Sequence, residues 1–127
     1  MLDLSHAPDV SDAVWANVEL TARIPAKMTD FFEKQGPTPV RVPDRRAYRR
    51  FYLRGKAVLR SDDWLLGIYT VDASRRGIGF FSPIQLLPKL HVRLQLPNVR
   101  EFEIEIVRCC RLEEQCYHCG AVFIGGI

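Results

Sequence analysis

The chain has 127 residues, 47% of them apolar and 26% charged, which describes one packed domain of ordinary size and excludes a disordered chain or two comfortable domains. Its formal charge of +3 is too small to name a polyanionic partner. No apolar run approaches the ~18–20 residues of a membrane span. The start, Met1 to His6, has no basic stretch followed by an apolar one, so no signal peptide is expected and the chain reads as cytoplasmic with reduced thiols.

In chain order, helices come first. Val10, Val14, Trp15, Val18 and Ala22 recur at three- and four-residue steps, the pattern of one apolar helix face. Ser11 serves as N-cap and Pro25 breaks the helix near Ile24. A second helix is predicted over Ala26–Gln35, with Met28, Phe31 and Phe32 on its apolar side and Gly36 as its stop. Gly36-Pro37-Thr38-Pro39 is too proline-rich for a helix or a central strand. Residues 1–40 therefore form an N-terminal helical extension and linker, and residues 41–127 a second, β-rich region.

From about residue 50 the pattern is that of strands: Phe51–Leu59, Trp64–Val71, Gly77–Phe81, Leu90–Leu96, Phe102–Val107 with an extension to Cys110, and Cys116–Ile124. Residues 90–96 alternate strictly, with Leu90, Val92, Leu94 and Leu96 on one face. Phe102, Ile104 and Ile106 do the same. Arg111–Gln115 reads as a hairpin loop. The prediction is a mainly β chain, an antiparallel sandwich or small barrel.

The modest net charge hides an asymmetry. Residues 41–60 hold eight basic side chains and one acid, a segment of +7 on a body of −4. Seven of the eight bases are Arg, whose planar fork takes phosphate or a guanine edge bidentately and stacks on flat rings. The bland alternative is a solvated basic strand with its flanking loop.

Two motifs sharpen this. Arg45-Arg46-Ala47-Tyr48-Arg49-Arg50 precedes the first strand as RRxxxR. Asp72-Ala73-Ser74-Arg75-Arg76-Gly77 lies at the turn between the second and third strands as DxSxxG. As chemistry, an Arg fork suits guanine O6 and N7, and a carboxylate such as Asp72 suits the N1–H and N2–H edge. A second fork and the Ser74 hydroxyl suit a phosphate. Gly77 can take positive φ and let the backbone approach a ligand. Taken alone, DxSxxG is more often a simple turn, with Asp72 and Ser74 bonding their own backbone and Gly77 in the left-handed region.

Both motifs, complete and in order, resemble the PilZ domain, a bacterial cyclic di-GMP receptor module, over roughly residues 42–125. The resemblance implies a six-stranded antiparallel PilZ-type β-barrel. It implies Arg45, Arg46, Arg50, Asp72, Ser74 and Gly77 as the ligand site, with a mobile arginine loop clamping the ligand against the barrel. Arg49, Arg75 and Arg76 are auxiliary, as is Arg54. Tyr48 and Phe51 can stack on a base, although Phe51 at a strand start reads as core. Three features depart from the family pattern: Arg49 stands where proline is common, no helix follows the last strand, and the helical extension is additional.

Cys109, Cys110, Cys116 and Cys119 with His118 invite a zinc reading. An inferred strand places Cys116 and Cys119 on opposite faces, so Cys109 and Cys119 read as small core residues on facing strands and no metal or disulfide is expected. His6, His91 and His118 have no companion nucleophile and orienting group, so no enzyme is expected. The expected function is that of a cyclic di-GMP receptor or adaptor needing no cofactor, acting through an unidentified protein partner or by self-association through Trp15, Phe31 and Phe32. A ligand-free interaction scaffold and a barrel binding single-stranded nucleic acid are the alternatives.

Overall fold

This computed structural model describes residues 15, 18–39, 49–96 and 101–126. Its strands are β1 (Leu20–Thr21), β2 (Phe51–Arg60), β3 (Leu65–Ala73), β4 (Gly77–Ser82), β5 (His91–Gln95), β6 (Glu101–Glu113) and β7 (Cys116–Gly126). Strands β2 to β7 pair antiparallel in the order β3-β2-β5-β6-β7-β4, and a β3–β4 pairing closes the ring. The result is a closed six-stranded barrel, which leaves the main strands with no long open edge.

The alternation read from the sequence supplies the interior. Leu59, Leu66, Ile68, Ile78, Phe80, Val92, Leu94, Ile104 and Ile106 are buried within one cluster, joined by Cys119 and Ala121. Cys109 and Cys119 are directly opposed on β6 and β7, with sulfurs 3.3 Å apart. Burial pushes the Cys116 thiol up to about 11 and the Cys119 thiol up as well, so both act as small hydrophobes. The β6–β7 turn is tighter than the predicted loop. Only Glu114 and Gln115 lie between the strands, and Gln115 takes φ 56° to make the reversal.

The helical extension is not found among the described residues. Residues 10–14, 16 and 17 of the first predicted helix lie outside them, but Leu20–Thr21 is a strand running parallel to β3. Strand β3 has an edge to offer there, because β4 pairs only with its second half, Tyr69 to Ala73. Glu19 N–H donates to Leu65 C=O (2.9 Å), Ala22 N–H to Gly67 C=O (2.8 Å) and Arg23 N–H to Gln115 C=O (2.9 Å). These long-range bonds take the groups a helix would have used, so tertiary pairing overrides an apolar period of 3.6.

The second predicted helix shrinks to a single 3₁₀ turn, Phe31–Glu33. Met28, Phe31 and Glu33 N–H groups bond three residues back, to Pro25, Met28 and Asp30. The Phe31 carbonyl accepts instead from Arg54 Nη1 at 3.3 Å. Phe31 itself, 2% exposed, packs outside the barrel with Ala22, Val71, Phe81 and Cys116 as a second small core. Its ring lies 5.5 Å from Phe81 and 6.2 Å from Tyr69, with the Arg54 guanidinium 4.2 Å above it. Trp15 is spent likewise within the chain, 4.9 Å from Tyr69 and donating from Nε1 to Ala57 C=O (3.1 Å). The expected self-association through these helices and aromatic residues therefore has no support. The proline-rich segment lies along the start of β2 through a Pro37–Phe51 bridge.

Phe31→Ala is expected to cost about 3–5 kcal/mol, read as a lower urea midpoint at unchanged slope. Phe32→Ala, at a ring 49% exposed, should stay within about 0.5 kcal/mol of wild type.

Candidate functional site

The DxSxxG segment spans the end of β3 and the turn into β4, and its residues divide their labour. Ser74 N–H donates to Gly77 C=O at 2.9 Å. The Ser74 hydroxyl accepts from Arg76 N–H (3.2 Å) and Gly77 N–H (3.3 Å), a serine turn that holds the reversal. Phe123 N–H bonds Arg76 C=O at 2.8 Å and ties the turn to β7. Asp72 takes no part in the turn. Its carboxylate accepts from Arg50 Nη2 at 2.9 Å, so the last arginine of the first motif meets the first residue of the second. The side chains of this pair are 17% and 21% exposed.

Asp72 faces outward because of a break in alternation. Leu66, Ile68 and Thr70 point inward, and strict alternation would bury the carboxylate with them. The β3–β4 register shifts between Thr70 and Asp72, so Asp72 stands opposite Gly79 on the outer wall and Ala73 returns to the core. A Cβ on Gly79 would lie 2.5 Å from Asp72 Oδ1; the carboxylate occupies that space.

Gly77 departs from the sequence reading. The left-handed conformations among the described residues are at Lys89, Gln115 and Gly36, not at Gly77. Glycine is required there because a Cβ would overlap the Ala121 carbonyl oxygen on β7, where the strands approach closely. Arg54 is engaged within the fold: Nε bonds Val71 C=O at 2.8 Å and Nη1 bonds Phe31 C=O, and burial lowers its pKa. Phe51 is 38% exposed, not core. Arg45, Arg46 and Tyr48 lie outside the described residues; Arg49, Arg75 and Arg76 are exposed.

Arg50, Ser74, Arg76 and Gly77 border one cleft of about 250 Å³, together with Arg108 and Gly120. Among the described residues, no acidic side chain lines it. The sequence alone did not place Gly79, Arg108 or Gly120 at this face, and it offered His118 only as a zinc ligand or catalytic group. His118 stands beside this face, its ring 5.4 Å from Phe81. Burial lowers its pKa, partly opposed by Asp72 and reinforced by Arg108, Arg50 and Arg54. Among the described residues, no three His, Cys, Asp or Glu side chains gather to hold a metal, and no helix is long and apolar enough to cross a membrane.

The family model for the PilZ domain matches residues 44–126, most of the chain and both motifs. The chain belongs to the PilZ family. PilZ domains are ligand-binding modules, and the family is one of cyclic di-GMP receptors. No curated protein matches the chain in a sequence comparison.

Two measurements probe this PilZ barrel. Gly77→Ala is expected to cost about 1–3 kcal/mol of stability, since the added methyl meets backbone and not a movable side chain. His118 is held below its ordinary 6.5, so the folded state binds fewer protons than the unfolded one just below that value. Its contribution is whole above pH 6.5 and is lost as pH falls through the lower folded value. Urea midpoints across this window should fall less steeply for His118→Gln than for wild type.

Proposed function

We propose that this PilZ domain is a cyclic di-GMP receptor or adaptor whose site is Arg45, Arg46, Arg50, Asp72, Ser74 and Gly77. The observation that carries the reading is the Arg50–Asp72 bond, which joins the two motifs at 2.9 Å beside the Ser74 turn. Each group of this pair matches a different part of the ligand. Asp72 accepts from the N1–H and N2–H edge of a guanine, as carboxylate chemistry requires. Arg50, released from Asp72, turns its fork to a phosphate, and Ser74 keeps a hydroxyl hydrogen with which to donate to the same group. Arg45 and Arg46 supply the further guanidinium groups that the second phosphate and second guanine need. Arg49, Arg75 and Arg76 raise the positive potential around them and hasten encounter with a dianion.

Ligand occupancy then changes the charge and shape of the barrel's outer wall. A partner protein that distinguishes the two surfaces converts occupancy into an output, by as much as its affinities for them differ. No bond in the ligand needs to change, and no cofactor enters the scheme. The protein works in the cytoplasm, where the dinucleotide is made and its own thiols stay reduced.

Isothermal titration with cyclic di-GMP tests the reading. Micromolar or tighter binding is expected, weakened at least 10-fold in Arg46→Ala, Arg50→Ala and Asp72→Ala with the fold intact. Absence of heat from a folded wild-type protein would overturn it in favour of a ligand-free scaffold. Salt-dependent binding of single-stranded RNA without nucleotide preference would overturn it in favour of a nucleic-acid barrel.

A further inference from the structure

Four residues are directly opposed in one outward row across β3, β4, β7 and β6: Asp72, Gly79, Gly120 and Arg108. The two inner members are glycines, so the wall between a carboxylate and a guanidinium carries no Cβ, and the His118 ring borders it, with Nε2 3.6 Å from where a Cβ on Gly79 would stand. Both end groups lean in over it. A Cβ on Gly79 would lie 2.5 Å from Asp72 Oδ1, and one on Gly120 would lie 2.9 Å from Arg108 Nε. Opposed Cβ positions on paired strands are ~5 Å apart. The space above the two glycines is held by the Asp72 carboxylate and the Arg108 side chain, so a flat bicyclic ring seated there takes their place and leaves an acceptor group at one side and a five-donor fork at the other.

Arg108 is put there by a specific distortion. Ile104 and Ile106 point inward, and unbroken alternation would drive the next even-numbered residue, an arginine, into the core. The β6–β7 register shifts between Ile106 and Arg108. Val107 and Arg108 consequently both face out, Val107 at 52% exposure, and Cys109 turns back toward the core. The guanidinium borders the same cleft as Arg50, Ser74 and Arg76.

We propose that Arg108 is a specificity-determining residue that reads the acceptor edge of a guanine seated on the Gly79–Gly120 floor. This rests on the cyclic di-GMP reading above and assigns a contact outside both motifs. Guanine offers O6 and N7 together to a bidentate arginine. Adenine places an amino donor where O6 stands, so it faces the guanidinium donor to donor, and its N1 brings no hydrogen to Asp72. A contact to phosphate, in contrast, carries no information about the base. Gly120 is then a positioning residue, since its missing side chain is what lets Arg108 lie across β7.

The test is competition titration of cyclic di-GMP and cyclic di-AMP against wild type, Arg108→Met, Arg108→Lys and Gly120→Ala. Arg108→Met should weaken cyclic di-GMP about 10- to 100-fold and leave cyclic di-AMP affinity unchanged, collapsing the preference for guanine. Arg108→Lys, with a point charge and no fork, should recover little of that preference. Gly120→Ala should shift the preference in the same direction by displacing the flexible Arg108 side chain. Because Arg108 is exposed, thermal midpoints of the Arg108 variants should match wild type. Equal losses for both dinucleotides would overturn the inference in favour of a phosphate contact, and no loss for either would make Arg108 a bystander. Wild type that binds cyclic di-GMP while Arg108→Met keeps its full preference defeats this inference alone. Wild type that binds neither dinucleotide defeats the receptor reading and this inference with it.

Discussion

An extra residue in β3 and another in β6 break the two-residue alternation of the barrel wall, and the outward aim of Asp72 and Arg108 follows from those breaks. Side-chain direction in a strand has period two, so each inserted residue shifts the residues after it to the opposite face. Both shifts come directly after an inward-facing residue, Thr70 on β3 and Ile106 on β6. Without them a carboxylate and a guanidinium would enter an interior of Leu, Ile and Phe, at a cost no single ion pair recovers. The core and the candidate site are therefore two consequences of one constraint: charge must leave the barrel, and the chain leaves it by bulging.

Closure of the barrel places the bulges near one another. Because β4 pairs with both β3 and β7, Asp72 and Arg108 are brought to the two ends of one row although they stand far apart in the chain. Glycine completes the row in two ways. Gly77 lets β4 approach β7 until only a hydrogen fits against the Ala121 carbonyl, while Gly79 and Gly120 yield their side-chain space to Asp72 and Arg108. The remaining polar side chains have narrower tasks. Ser74 holds the turn, Arg54 holds Phe31 to the wall, and Arg50, directly before β2, bonds the DxSxxG segment at Asp72.

The segment before the barrel shows how an edge reshapes a sequence. Residues 18–39 pack along β3 and β4 as an outer layer, with Phe31 seated against Phe81 and Tyr69. Strand β3 has donors and acceptors to spare beside Leu66 and Gly67, and β1 satisfies them. This covers part of a sheet edge that β4 is too short to pair, the kind of exposed ladder that otherwise invites another chain. The same layer reaches β2 through Gly36–Thr38, so the N-terminal residues and the start of the barrel hold one another in place.

Much of this was legible in the residues. Alternation in 90–96 and 102–106, the proline and glycine punctuation, and the two motifs located the six barrel strands, the linker and the turn that carries Ser74. Those features are local, governed by the preferences of a few neighbouring residues, and they survive any tertiary setting. Among the described residues from Val18 onward the predicted helices are replaced by β1 and one 3₁₀ turn, because Val18, Ala22 and Phe31 find their apolar contacts on the barrel's outer wall, and the backbone around Leu20 finds its hydrogen bonds on β3. Asp72 and Arg108 each occupy a position that alternation assigns to the core, and that conflict was the sequence's own sign of a bulge. Which strand would carry the extra residue, and which glycines would lie between the two charges, depended on the register of four strands. Register is set by how the whole interior packs, and no local stretch of the chain contains it.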